Sequence, residues 1–104
     1  MTKKNRKIPK SFKLFNTTVK VKFDNFLMYE KDNYGQYSYG SSTITLSDKL
    51  GHEELSDDRV KDCFYHEKVH AILAAMDERD LNDNEKFVDI FAKLLRQSDE
   101  TAVY

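Results

Sequence analysis

His66-Glu67-Lys68-Val69-His70 is the stretch of this 104-residue chain whose residue types and spacing could do chemistry. On a helix, residues four apart lie ~40° from each other and one turn apart, so both imidazoles can reach a single ion. Glu67 lies ~60° round from His70 on the same arc, beside such an ion rather than on it, where a base for an activated water belongs. The pattern is H-E-x-x-H, and the chemistry it points to is hydrolysis assisted by a divalent metal, zinc first. A catalytic zinc takes three protein ligands and leaves one position open, so a third ligand is required. Glu85 and Asp89, spaced i, i+4 in Asn84-Glu85-Lys86-Phe87-Val88-Asp89, can supply it. Glu85 would reach the metal, and Asp89 would take the outer N–H of a ligand histidine and fix its tautomer. The competing reading is that both carboxylates belong to a polar arc with Lys86, Lys93 and Arg96, as on any solvated helix.

Other candidates carry less. Cys63, one turn before His66, could close a structural site as a fourth ligand, although a small core residue is the simpler reading. His52 sits among Glu53 and Glu54 and reads as surface. Tyr37 and Tyr39 alternate along a strand, so they pack or line a cleft, and either hydroxyl could serve an oxyanion. Tyr65 points off the metal arc and reads as packing.

The elements that must position these residues follow from periodicity. Residues 19–23 alternate Val, Lys, Val, Lys, Phe, a strand with one face buried. Asp24-Asn25 reads as a turn, and Phe26-Leu27-Met28-Tyr29 as a second strand. After a turn at Asp32-Asn33-Tyr34-Gly35 come residues 36–39, a break at Gly40-Ser41-Ser42, and Thr43-Ile44-Thr45-Leu46, rich in β-branched residues. The short connections predict an antiparallel sheet. The period then changes. Ser56 or Asp57 caps a helix running to about residue 78, with Asp57 and Asp58 at the positive end of its dipole. Its stretch from Val69 to Met76 is apolar all round, which marks a buried helix, and there an ionised Glu67 is costly without a metal or partner. Asn82 or Asp83 caps a second helix, residues 84–97, with Phe87, Val88, Phe91, Leu94 and Leu95 on one face. A sheet followed by two packed helices is an α+β domain.

At these residues the chain resembles the gluzincin metallopeptidases, in which an HExxH helix is followed by a helix bearing N-E-x-x-x-D. It is similar, too, to the small phage-encoded and ImmA/IrrE-type members, where a short sheet precedes the motif helix and a Phe-Ala-x-x-Leu helix follows, here Phe91-Ala92-Lys93-Leu94-Leu95. The resemblance covers roughly residues 44–97. It implies a minimal zincin-like fold with one Zn²⁺ held by His66, His70 and Glu85, Glu67 as general base, and Asp89 orienting a histidine. It implies, further, that Thr43, Ile44, Thr45 and Leu46 bind an extended peptide substrate by strand addition. The activity it implies is peptide-bond hydrolysis. The alternative is a zinc-stabilised module that holds a partner segment without cutting it.

Composition narrows the rest. One domain fits the length, and no apolar run approaches the ~18 residues of a membrane span. The basic N-terminus has no apolar segment behind it, so it is not a secretory signal; with a single cysteine, this predicts a cytoplasmic protein, in the host cytoplasm if phage-encoded. The net charge of -1 hides an asymmetry: residues 1–22 hold eight of the 17 basic residues and no acid. Residues 1–11 read as a basic flexible arm, with the domain proper at 12–104. Contact with nucleic acid through residues 3–13 is the weaker reading, because no aromatics interleave Lys3 to Lys10; a solvated terminus is the stronger.

Overall fold

The computed structural model describes residues 7–30 and 34–104. In chain order the elements are β1 (Ser11–Leu14), β2 (Thr17–Phe23), α1 (Asn25–Glu30), β3 (Gly35–Ser38), β4 (Thr43–Leu46), the short strands β5 (Lys49–Leu50) and β6 (Glu53–Glu54), α2 (Asp57–Ala75), α3 (Arg79–Asn82) and α4 (Glu85–Thr101). The predicted α+β class holds: a four-stranded sheet is followed by packed helices.

The sheet order is β1-β2-β4-β3, and it is mixed rather than antiparallel: β2 and β4 run parallel, with Val21 opposite Ile44. The reason lies in residues 26–29, which form a helix instead of the predicted strand. Asp24 caps that helix, its Oδ1 accepting from the Leu27 N–H at 2.9 Å, and a short apolar run has no period that separates strand from helix. With a helix there, the chain crosses over and returns beside β2 in the same direction. The fold also starts earlier than residue 12. Ile8 packs on the sheet core and the Lys10 carbonyl accepts from the Val21 N–H at 2.9 Å, so only residues 1–6 of the predicted arm remain, and these lie outside the described residues.

The all-round apolarity of α2 has a simple cause, because the helix is packed on two sides. Phe64 joins Val19, Ile44 and Leu46 in a core against the sheet, while Val69 and Leu73 join Val88 and Ala92 in a second core against α4. Tyr65 borders both. Ser56 caps α2 as predicted, its Oγ accepting from the Arg59 N–H at 3.2 Å.

Helix α4 packs only part of its predicted face, with Phe87, Val88 and Leu95 on the second core. Val88 and Ala92 are buried, but Phe91 and Leu94 are 42% and 57% exposed, and Ile90 beside them is exposed too. The small Ala92 lets α2 approach closely, and the side chains facing α2 are Glu85, Val88, Ala92, Leu95 and Arg96. Arg96 fastens the far end of the pair: its guanidinium donates to Asp58 Oδ1 and Asp62 Oδ1, both at 2.7 Å, and to the Asp58 carbonyl at 3.1 Å.

Candidate metal centre

The site begins with two helix termini. Asp77, in the left-handed region at φ 56°, closes α2: its N–H donates to the Ala74 carbonyl and the Glu78 N–H to the Leu73 carbonyl, a Schellman closure. The chain then reverses through α3. Asn84 caps the next helix, its Oδ1 accepting from the Phe87 N–H at 3.1 Å, so α4 starts at Glu85 and runs back along α2. Glu85 thereby stands over the middle of α2, opposite the two histidines.

There the geometry converges. His66 Nε2 lies 3.2 Å from Glu85 Oε1, and His70 Nε2 lies 3.3 Å from Glu85 Oε2. Donor atoms of these three residues all fall within 4.8 Å of one another. Two ligands at ~2.1 Å and a tetrahedral angle stand ~3.4 Å apart, so these separations suit atoms sharing one ion as well as they suit direct imidazole–carboxylate contacts. Two neutral nitrogens and a carboxylate oxygen are, besides, a donor set that zinc accepts. The residues therefore fit such a metal, although the same set is open to other divalent ions.

His70 is held in the orientation this requires. Its Nδ1–H donates to Asn82 Oδ1, and the Asn82 amide donates back to the His70 carbonyl at 3.4 Å. That bond leaves Nε2, 3.3 Å from Glu85 Oε2, as the ring nitrogen turned to the ligand position. Sequence reasoning took Asn82 only as a possible helix cap. The signal for its role would have been the twelve-residue return from His70, which only the α3 turn makes short. Asp89, predicted as the orienter, lies on the His66 side: its Oδ1 is 3.9 Å from His66 Nδ1, beyond hydrogen-bond reach, while Oδ2 takes Lys93 Nζ at 3.1 Å.

Glu67 lies beside the cluster, on the wall of the same cleft. Its carboxyl is pushed up to about 7, first by burial and then by Glu85, against the opposing pull of His70 and of the Tyr37 backbone N–H that donates to it. Gly35 makes the approach possible, since a Cβ there would meet Glu67 Cγ at 3.4 Å and Leu46 Cδ2 at 3.2 Å. The cleft encloses about 710 Å³ and is lined by β3, by α2 and by the turn leading to Glu85; Tyr37 and Tyr39 both border it.

Two expectations change. Thr43 to Leu46 cannot accept an added strand, because β4 lies between β2 and β3 with both edges paired. The sheet's edge strands are β1 and β3, and of these β3 borders the cleft. The Tyr37 N–H that meets Glu67 points along that edge, and so do the backbone groups of Gly35, two residues away. Cys63 is outside the converging group among the described residues. Burial, then Glu67, push its thiol up to about 11, which keeps it protonated. His52 is exposed beside the Gly51 turn and takes no part.

No family model matches the chain, and neither does any curated protein or solved structure. No described helix is long and apolar enough to cross a membrane.

Proposed function

We propose that the chain is a zinc-dependent peptidase of gluzincin type, in which His66, His70 and Glu85 hold the metal. One observation carries this reading: both Nε2 atoms converge on the Glu85 carboxylate while a carboxyl near neutrality, Glu67, stands beside them in an open cleft. Zinc, when bound, supplies Lewis-acid activation at neutral pH. The chain supplies the rest. Glu67 accepts the proton that the attacking water gives up and returns it to the amine nitrogen of the departing half. The edge of β3 takes the substrate backbone as an added strand, laying the scissile bond across the cleft. Asn82 keeps the His70 imidazole aimed at the ligand position, while Asp89 stands on the His66 side without bonding its ring. Cys63 stands outside the converging group, and a single free cysteine suits a reducing compartment such as the cytoplasm.

The test is Glu67→Gln. The variant should bind one zinc per chain and lose cleavage of a quenched-fluorescent peptide library, whereas Glu85→Ala should lose the zinc. Cleavage that survives Glu67→Gln refutes the role of the carboxylate. Zinc-loaded wild type that holds peptides along β3 and cuts none would leave the open strand edge as the working part, in a zinc-stabilised binding module.

A further inference from the structure

The β1–β2 hairpin has features that the cleft does not use. Its two strands pair Ser11 with Lys20 and Lys13 with Thr18, and paired residues point to the same face. Phe12, Leu14, Val19 and Val21 turn inward onto the core. Ser11, Lys13, Thr18, Lys20 and Lys22 turn outward, and all five are exposed. Lys13, Lys20 and Lys22 make no ion pair among the described residues, and no acid occurs anywhere in residues 1–22. This face is opposite the one that packs on α2, so the sheet separates it from the candidate metal centre.

The hairpin tip is costly for its sequence. Phe15 turns the chain with φ 54°, in the left-handed region where a bulky residue is strained, and its ring is 82% exposed, touching no core. Glycine would make this turn without strain and without an apolar ring in water. Strain held at an exposed aromatic marks a residue kept for contact rather than for folding.

We propose that the outer face of this hairpin binds single-stranded nucleic acid, with Lys13, Lys20 and Lys22 meeting phosphates and the Phe15 ring stacking on a base. The lysines match a polyanion in charge, and the hydroxyls of Ser11 and Thr18 between them add donors for phosphate oxygens. A single exposed ring is enough for stacking on one base, whereas holding to a lipid surface needs a larger apolar area than one side chain provides. A duplex offers no unstacked base to Phe15, so the single strand is the better ligand.

The test is fluorescence anisotropy of the full chain with a labelled oligothymidylate of about 20 nucleotides and with a duplex of equal length, beginning at about 50 mM salt. Wild type should bind the single strand more tightly, with log K falling against log salt at a slope of about -2 for three phosphates. Lys13→Gln/Lys20→Gln/Lys22→Gln should weaken binding at least about tenfold and flatten the slope. Phe15→Gly should weaken single-strand binding about tenfold, leave duplex binding unchanged, and hold or raise the melting temperature. That last pairing separates contact from folding. No binding at low salt, equal affinity for duplex, full affinity in the triple variant, or preference for phosphatidylserine vesicles over the oligonucleotide would each overturn the proposal.

Discussion

Asn82 grips His70 from both sides of its chemistry, taking the Nδ1 proton on its side-chain oxygen and returning an amide hydrogen to the same residue's carbonyl. The imidazole is thus fixed by a residue outside the H-E-x-x-H pattern, on a four-residue helix. Asn82→Ala should weaken zinc binding about 10- to 100-fold, as loss of an orienting partner does. Asn82→Asp, which keeps the acceptor, should recover most of it. Competition with a chromophoric chelator measures both, and an unchanged affinity in the alanine variant would mean that the ring needs no such hold.

Glu67 makes the metal-free protein sensitive to pH in a definite direction. Its carboxyl is raised from 4.5 to about 7 by burial first, so the folded state keeps a proton that the unfolded chain releases. The associated stability is complete below about 4.5 and is lost as pH rises through about 7, up to about 3 kcal/mol. Urea unfolding in the presence of a chelator should show wild type weakening relative to Glu67→Gln across that window. A difference that stays flat with pH would mean the carboxyl is not held as described.

Gly35 sets how near β3 can come to Glu67. A Cβ there would meet Leu46 Cδ2 at 3.2 Å, tighter than ordinary contact, and Glu67 Cγ at 3.4 Å, so Gly35→Ala should shift β3 off Leu46 and with it the Tyr37 N–H that holds the Glu67 carboxyl. The expected outcome is normal zinc content with kcat reduced about tenfold or more. Metal analysis beside peptide kinetics checks it, and an unchanged kcat counts against Glu67 as the base.

Arg96 bears on stability away from the cleft. Its partners Asp58 and Asp62 are 85% and 46% exposed and stay hydrated when it is gone, so Arg96→Ala should cost about 1 kcal/mol in denaturant unfolding. High salt should narrow the gap between variant and wild type, since the carboxylates of the pair face solvent.

The residues that converge were legible in the sequence because a helix converts spacing into direction. His66, Glu67 and His70 needed only the i, i+4 rule, and Glu85 followed from the next capped helix. What escaped depended on packing between elements. Asn82 meets His70 through a reversal whose tightness no local pattern states. The place of β4 inside the sheet depended on Asp24 acting as a cap rather than a turn residue, and that difference left β3 instead of β4 as the edge strand beside the cleft. The face of α4 was legible in part for a related reason: Phe87, Val88 and Leu95 pack on the core, but Phe91 and Leu94 give way to the smaller Ala92, because smallness as well as apolarity decides where two helices can touch.

Helix α4 is secured by its two ends in unlike ways. Arg96 clasps one end through permanent charges, and Glu85, eleven residues or ~16 Å away, answers only to whatever joins the two imidazoles. Metal uptake should therefore be felt as a mechanical latch on one end of a bar already bolted at the other. Amide exchange would slow in the first turn of α4 and in the α3 reversal, while the Arg96 end stays as it was.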